Sequence, residues 1–207
     1  MKIPILLTIV LLLITSDFLN AQNNHIKQQN FTAFNREVSY EDGIAYLDAK
    51  AEDGLLWLKN ANFKNGTIEL EVKGRNIPGR SFVGIAFHGQ DNQTFDAIYF
   101  RPFNFKNPSR NTHSIQYIAM PTNDWSTLRK AFPGKYENTI TPIPDAVDDW
   151  FHVKIMVDHP QVKVFINGSD KPALEVVQIS DRKQGKLGFW VGNGSDGWFR
   201  NLKITKQ

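Results

Sequence analysis

The segment Tyr99-Phe100-Arg101-Pro102-Phe103-Asn104-Phe105 crowds three phenylalanines and a tyrosine around one arginine and one asparagine. Aromatic rings pack against apolar faces, while guanidinium and amide groups hydrogen-bond to hydroxyls. A sugar ring offers both kinds of surface, so carbohydrate is the ligand class this segment suits. Pro102 has no N–H and ends a strand ladder, which sends Phe103 to Phe105 out at the sheet rim. Period-two alternation enlarges the set. Over 82–88, Val83, Ile85 and Phe87 share one face and Phe82, Gly84, Ala86 and His88 the other. Over 95–101, Ile98 and Phe100 oppose Ala97, Tyr99 and Arg101, and over 114–119 Gln116 is out of phase with Tyr117. His88, Tyr99, Arg101 and Gln116 are therefore expected to converge on one sheet face. The alternative for any one of them is an ordinary solvated position with an arginine stem lying along the sheet.

A second group lies in Met120 to Asp149, about thirty residues with little strand signal. Loops longer than about 15 residues are uncommon in compact domains unless functional or disordered, and Trp125, Leu128, Phe132 and Tyr136 give this one apolar anchors. It is expected to fold over one end of the polar face and to bring Trp125, Arg129, Tyr136 and Glu137 there; a loop that only covers a sheet edge is the equal alternative. Ligand contacts would then come from Tyr99, Arg101, Asn104, Gln116, Trp125, Arg129 and Tyr136. Glycoside hydrolysis usually needs two carboxylates about 5–9 Å apart. Glu69 and Glu71 alternate on one strand, but Thr67 and Lys73 flank them and the strand reads as framework. Asp91, Asp96 and Glu137 stand alone. An acid–base pair, if the chain has one, is Glu137 with His88 or His113, because imidazole titrates near neutrality. No G-x-S-x-G nucleophile turn and no H-E-x-x-H zinc motif occurs, and no metal ligand is assigned. Calcium would find oxygen donors in Asp91-Asn92 and Asn193-Gly194-Ser195-Asp196, although neither run has the spacing of a known calcium loop and turn formation accounts for both.

These residues need a β scaffold, and the chain supplies one. Strand patterns recur at 38–40, 44–47, 55–58, 66–72, 82–88, 95–101, 114–119, 151–157, 162–166, 174–177, 185–191 and 198–204, separated by Gly, Pro and Asn turns. Gly66 to Val72 and Phe151 to Val157 alternate cleanly. In the last strand Phe199 is out of phase, which a bulge near Gly197 would repair. No segment holds a helical period over three turns. The pattern specifies an all-β sandwich or closed barrel in one domain, residues 22–207.

Residues 1–21 read as a secretory signal peptide: Lys2, an apolar run from Ile3 to Ile14, then Asn20-Ala21-Gln22 as a cleavage region. The run is short for a membrane span, so no membrane association is expected after cleavage, and the location is secreted or periplasmic. The 207 residues contain no cysteine, which excludes disulfides and thiol chemistry. The net charge of +3 is scattered, with none of the clustering that nucleic acid requires. A monomer is expected.

Three segments carry a family resemblance. Asn62-Phe63-Lys64-Asn65-Gly66-Thr67-Ile68-Glu69-Leu70-Glu71 opens a strand with F-x-N-G. Asp149-Trp150-Phe151-His152-Val153-Lys154-Ile155 precedes a V-x-V-x-I-N-G hairpin strand. The stretch from Gly185 to Gly192 runs on to Gly197-Trp198-Phe199-Arg200-Asn201-Leu202-Lys203-Ile204. Together they resemble the laminin-G-like and 3-keto-disaccharide hydrolase branch of the concanavalin A-like superfamily, over roughly Phe31 to Lys206. A smaller likeness, to sandwich proteins carrying R-P-F-N-F, Q-Y and W-x-x-L-R, falls on Arg101 to Phe105, Gln116-Tyr117 and Trp125 to Arg129. The resemblance implies a jelly-roll β-sandwich of two antiparallel sheets with a ligand-carrying concave face. Its members include binders and enzymes, so fold alone does not fix activity. A secreted carbohydrate-binding domain, a small enzyme cleaving glycosides or oxidised disaccharides, and a laminin-G-like protein-interaction module all follow from it. The absent carboxylate pair favours the first.

Overall fold

The computed structural model describes residues 21–23 and 26–207; apart from Ala21, the signal segment expected over 1–21 lies outside the described residues. Fifteen strands are formed among them: β1 (Ala21–Asn23), β2 (Phe31–Phe34), β3 (Val38–Glu41), β4 (Ile44–Leu47), β5 (Gly54–Leu58), β6 (Gly66–Lys73), β7 (Val83–Gly89), β8 (Asp96–Phe100), β9 (Ile115–Ala119), β10 (Glu137–Asn138), β11 (Phe151–Asp158), β12 (Gln161–Ile166), β13 (Leu174–Val177), β14 (Lys186–Val191) and β15 (Gly197–Lys206). One helix, α1 (Trp125–Ala131), interrupts them. The back sheet runs β13-β12-β11-β6-β15-β4-β3, with β1 joined to β15; the front sheet runs β10-β9-β8-β7-β14-β5-β2. All pairings are antiparallel and the two sheets stay open, so the chain is the two-sheet β-sandwich that the resemblance implies and not a closed barrel.

The core lies between the sheets. Ile68, Leu70 and Val72 of β6 and Phe151, Val153, Ile155 and Val157 of β11 point inward and are fully buried or nearly so, while Thr67, Glu69 and Glu71 face out. Phe189 stacks on Phe199 at 4.5 Å and Phe100 meets Phe151 edge-on at 5.1 Å, tying front sheet to back. β15 holds two in-phase runs, with Phe199 inward in the first and Leu202 and Ile204 in the second. The slip between them is a bulge at Arg200–Lys203, where Asn201 has φ +57°, and not near Gly197. Asparagine tolerates that left-handed backbone better than most residues.

The front sheet is buried on both sides: every residue of β7, β8 and β9 is shielded. One face takes Val83, Ile85, Phe87, Ile98, Phe100 and Tyr117 into the core. Register defines the other face as a cross-strand row, Trp190 beside Gly84, Gly84 beside Tyr99, Tyr99 beside Gln116 and Gln116 beside Glu137. The long stretch Met120 to Asp149 contributes α1 and β10 to this side. Asp124 caps α1 by accepting from the Thr127 N–H at 2.8 Å, and Leu128 anchors it.

Gly84 matters because the Tyr99 and Trp190 rings, two strands apart, lean toward each other over it to 4.9 Å. A Cβ there would lie 2.1 Å from the Ile98 carbonyl oxygen and 2.6 Å from Tyr99 Cα, against backbone that cannot yield. Gly84→Ala is expected to lower unfolding free energy by about 1–3 kcal/mol in chemical denaturation; an unchanged midpoint would mean the sheet relaxes freely at this point.

Candidate functional site

β8 ends at Phe100, and Arg101 leaves it with one last ladder bond, from its N–H to the Ser114 carbonyl at 2.8 Å. Pro102 then opens a 3-10 turn, Pro102–Asn104, and a second such turn, Asn111–His113, leads into β9. The two turns place the His113 carbonyl where it accepts from Arg101 Nη1 at 2.9 Å and from Asn104 Nδ2 at 3.1 Å. Arg101 Nη2 donates to the Tyr99 hydroxyl and, at 3.4 Å, to Gln116 Oε1. The Gln116 amide nitrogen donates to the Tyr117 and Tyr136 carbonyls at 2.9 and 3.0 Å, so its oxygen is turned toward the guanidinium. Arg101 is only 5% exposed. Burial pulls its pKa below the ordinary arginine value, against the opposing pull of Tyr99, and pushes the Tyr99 phenol well above its own. Both keep their protons at pH 7. The Tyr99, Phe82 and Trp125 rings box the guanidinium, with centroids 4.8, 5.9 and 6.0 Å from it.

Beside this group Glu137, also 5% exposed, sits under Arg129. Arg129 Nε donates to Oε1 at 2.8 Å and Nη2 to Oε2 at 2.5 Å, a two-pronged grip supplied by α1. His113 Nδ1 is 2.8 Å from Oε2, an ion-pair approach that is not lined up as a hydrogen bond. Burial raises the carboxyl pKa, but the bonds and charge of Arg129, aided by His113, outweigh it and hold Glu137 below the usual carboxylate value. The Arg129 guanidinium also lies 4.9 Å from the Trp125 ring.

Phe82, Arg101, Phe103, Asn104, Arg110, His113, Trp125 and Arg129 line an open cavity of 460 Å³ with Gly79 and Ser109. Of the residues expected at a site, Arg101, Asn104, His113, Trp125 and Arg129 form its wall, and Tyr99, Gln116 and Glu137 hold that wall from beneath.

Two expected residues lie elsewhere. His88 is fully buried on the core side, because β7 bulges against β14: Gly188 pairs with Ala86 but Lys186 with Gly89, and His88 takes φ +51°. The extra residue reverses the alternation. The His88 ring lies beside Phe63 and Phe87, Nε2 donates to the Lys64 carbonyl at 2.7 Å, and Nδ1 is 3.2 Å from the Gln178 amide nitrogen. Burial pushes its pKa below the ordinary histidine value. Tyr136 also points away from the cavity. It precedes Glu137 in an extended segment, so the two project oppositely, and its ring packs against Tyr117 and Phe132 at 5.5 and 5.7 Å.

The remaining carboxylates have other work. Asp96 is buried in the core, accepting from the Tyr117 hydroxyl, from Ser180 Oγ at 2.8 Å and from Arg182 Nε at 2.8 Å. Glu69 and Glu71 pair with His152 and Arg200 on the outside of the back sheet. The turn oxygens suited to calcium are engaged: Asp91 accepts from the N–H groups of Gln93 and Thr94, Asn92 from Trp57 Nε1, and Asp196 from Arg75. Among the described residues no three His, Asp or Glu side chains gather as a metal cluster would require.

Two residues escaped sequence reasoning. Arg110 stands in an irregular loop that carries no periodic signal. Asp53 lies just before β5; its carboxylate accepts from Trp190 Nε1 at 3.2 Å, and burial raises its pKa. Both Asp53 and Glu137 act electrostatically on the Tyr99 phenol. The short spacing from Asp53 to the apolar run Leu55–Leu58 was the one available hint.

Because the Glu137 pKa is depressed in the fold, its pairing stabilises fully above the unfolded-state value near 4.3, and that contribution is lost as pH falls through the folded-state value. Glu137→Gln should cost about 1–3 kcal/mol at pH 7. The gap to wild type should close on acidification below about pH 4; a gap that stays constant with pH would show that the carboxylate charge is not what Arg129 and His113 hold.

Comparison with known proteins places these features in context. A search of curated proteins finds no significant match. Many solved structures share the fold. They include the carbohydrate-binding module CBM66 of Bacillus subtilis (13% identity, TM-score 0.63, covering 85% of this chain and 96% of that one). A Parabacteroides distasonis protein provisionally described as a glycosyl hydrolase aligns at 15% identity and TM-score 0.63, covering 90% and 99% of the two chains. The exoplasmic/lumenal domain of VIP36, solved with calcium and Man3GlcNAc, aligns at 13% identity and TM-score 0.62, covering 90% and 88%. At such identities the likeness is one of fold. Among the described residues no helix is long and apolar enough to cross a membrane. The model of the 3-keto-alpha-glucoside-1,2-lyase-like domain matches residues 19–205, nearly the whole sandwich and all of its cavity, and the chain belongs to that family.

Proposed function

We propose that the cavity beside the front sheet is a saccharide-binding site on an exported protein. One observation carries this reading: Arg101, Arg129 and His113 line the same 460 Å³ space as the half-exposed Trp125 ring. A ring lying on Trp125 would bury its apolar face there and meet donors with its hydroxyls. The polar groups are already fixed by Tyr99, Gln116 and Glu137, so binding costs them little ordering. Export rests on the leader-like residues 1–21, and the carbohydrate-binding and lumenal descriptions of the structural neighbours agree with it. Trp125 is 46% exposed, so its removal should spare the fold. Trp125→Ala is expected to weaken saccharide binding at least tenfold, about 1.4 kcal/mol, in calorimetric titration; unchanged affinity would exclude this cavity as the site.

A second reading is favoured by His113 standing 2.8 Å from Glu137, an oriented imidazole at the wall of the cavity, and by the family to which the chain belongs. Hydrolysis across two carboxylates is not supported, because the cavity lining holds none and Glu137 is gripped by Arg129. Elimination from a 3-keto glucoside needs only one base. His113 would take the proton from C2, acidified by the neighbouring C3 carbonyl. Its electron pair would form the C1–C2 double bond as the C1–oxygen bond breaks, and the departing oxygen would receive the proton. Arg101 would stabilise the negative charge developing on the carbonyl oxygen. The products are an unsaturated keto sugar and a free alcohol. His113→Asn should slow this reaction by about 10²–10⁴-fold, followed by the ultraviolet absorbance of the conjugated product. A bound 3-keto glucoside that wild-type protein leaves intact would reduce the chain to a binder.

A further inference from the structure

We infer, on the footing that the cavity is a saccharide site, that its ligand is an anionic saccharide: a sugar ring carrying a carboxylate or sulfate group. The charge balance of the cavity points there. Arg101, Arg110 and Arg129 all line it, and among the described residues the one carboxylate paired with a side chain of its wall is Glu137. Three guanidinium charges against one carboxylate leave a surplus of two, before any charge on His113 is counted.

The surplus belongs to particular residues. Arg129 is matched by Glu137. Arg101 is buried, yet its side-chain hydrogen bonds go only to neutral oxygens, those of Tyr99, Gln116 and the His113 carbonyl. The charge of Arg129 repels it and that of Glu137 attracts it, so Glu137 is shared between two guanidinium groups. Arg110 is exposed at the mouth, and among the described residues its guanidinium has no ion-pair or hydrogen-bond partner. A neutral sugar entering this space would strip water from Arg110 and return no counter-charge. A carboxylate or sulfate would bring that charge to two guanidinium groups whose N–H donors suit such oxygens.

The lining favours a sugar over a bare anion. An inorganic anion would serve the arginines alone, whereas a sugar acid serves them with its anion and the Trp125, Phe82 and Phe103 rings with its carbon face.

The test is retention of the full chain on an array of neutral, uronic and sulfated oligosaccharides, followed by titration of the best ligand. Uronic or sulfated glycans are expected to be retained, and the class retained identifies the anion. Carboxyl reduction or desulfation of the best of them should weaken binding at least tenfold, about 1.4 kcal/mol. Arg110→Gln, at an exposed position that folding does not need, should weaken the same ligand at least fivefold and flatten its salt dependence. Neutral glycans retained as strongly as acidic ones would overturn this inference and leave the saccharide site standing. No glycan retained would overturn the saccharide site and this inference with it.

Discussion

A guanidinium cannot give up its charge inside a protein, so burying Arg101 obliges the surrounding chain to supply acceptors at fixed positions. Much of the site architecture answers that demand. The Tyr99 hydroxyl, Gln116 Oε1 and the His113 carbonyl converge on it, and each is held in turn. Gln116 is oriented by two backbone carbonyls, and His113 by a 3-10 turn braced through Asn104. Tyr99 keeps its place because Gly84 beside it has no side chain and Trp190 fills the far side. The arginine thus converts a flat sheet face into a rigid wall of donors.

Two carboxylates near that face stand in different environments. Glu137 is gripped by Arg129, a structural counter-ion that aims Arg129 and sits beside His113. Asp53 accepts from Trp190 Nε1, and burial raises its pKa. The two lie on either side of the Tyr99–Trp190 aromatic pair, and neither lines the cavity.

The sequence carried the framework and half of the site for the same reason. Alternation over 83–87, 96–100 and 115–119 is strict, so it assigned Tyr99 and Gln116 to one face and their apolar neighbours to the other. It failed where a strand carries an extra residue. His88 follows the phase of Gly84 and Ala86 in the sequence, but the bulge against Lys186–Gly188 turns it inward. Asn201 likewise shifts the last strand's phase four residues beyond Gly197. Tyr136 and Glu137 project oppositely because they are neighbours in an extended segment, but that segment carried no strand signal. Arg110 was not legible either: irregular turns place it, and no periodicity reports on them. The all-β class needed none of these details, because every strand except the two-residue β10 and the N-terminal β1 and β2 was signalled by pattern; the two-sheet jelly roll came from the resemblance.

The central claim is that the face carrying Tyr99, Arg101 and Gln116 is the one that meets ligand. The chain has five tryptophans, of which Trp57 and Trp190 are buried and the other three stand on different surfaces. Trp125 stands at the cavity, whereas Trp150 and Trp198 lie on the outside of the back sheet beside Arg200 and Tyr46. Following the five indole N–H resonances during a saccharide titration reads both surfaces in one experiment. The account predicts that the Trp125 signal moves with ligand while those of Trp150 and Trp198 stay still; movement of Trp150 or Trp198 with Trp125 unchanged would contradict it.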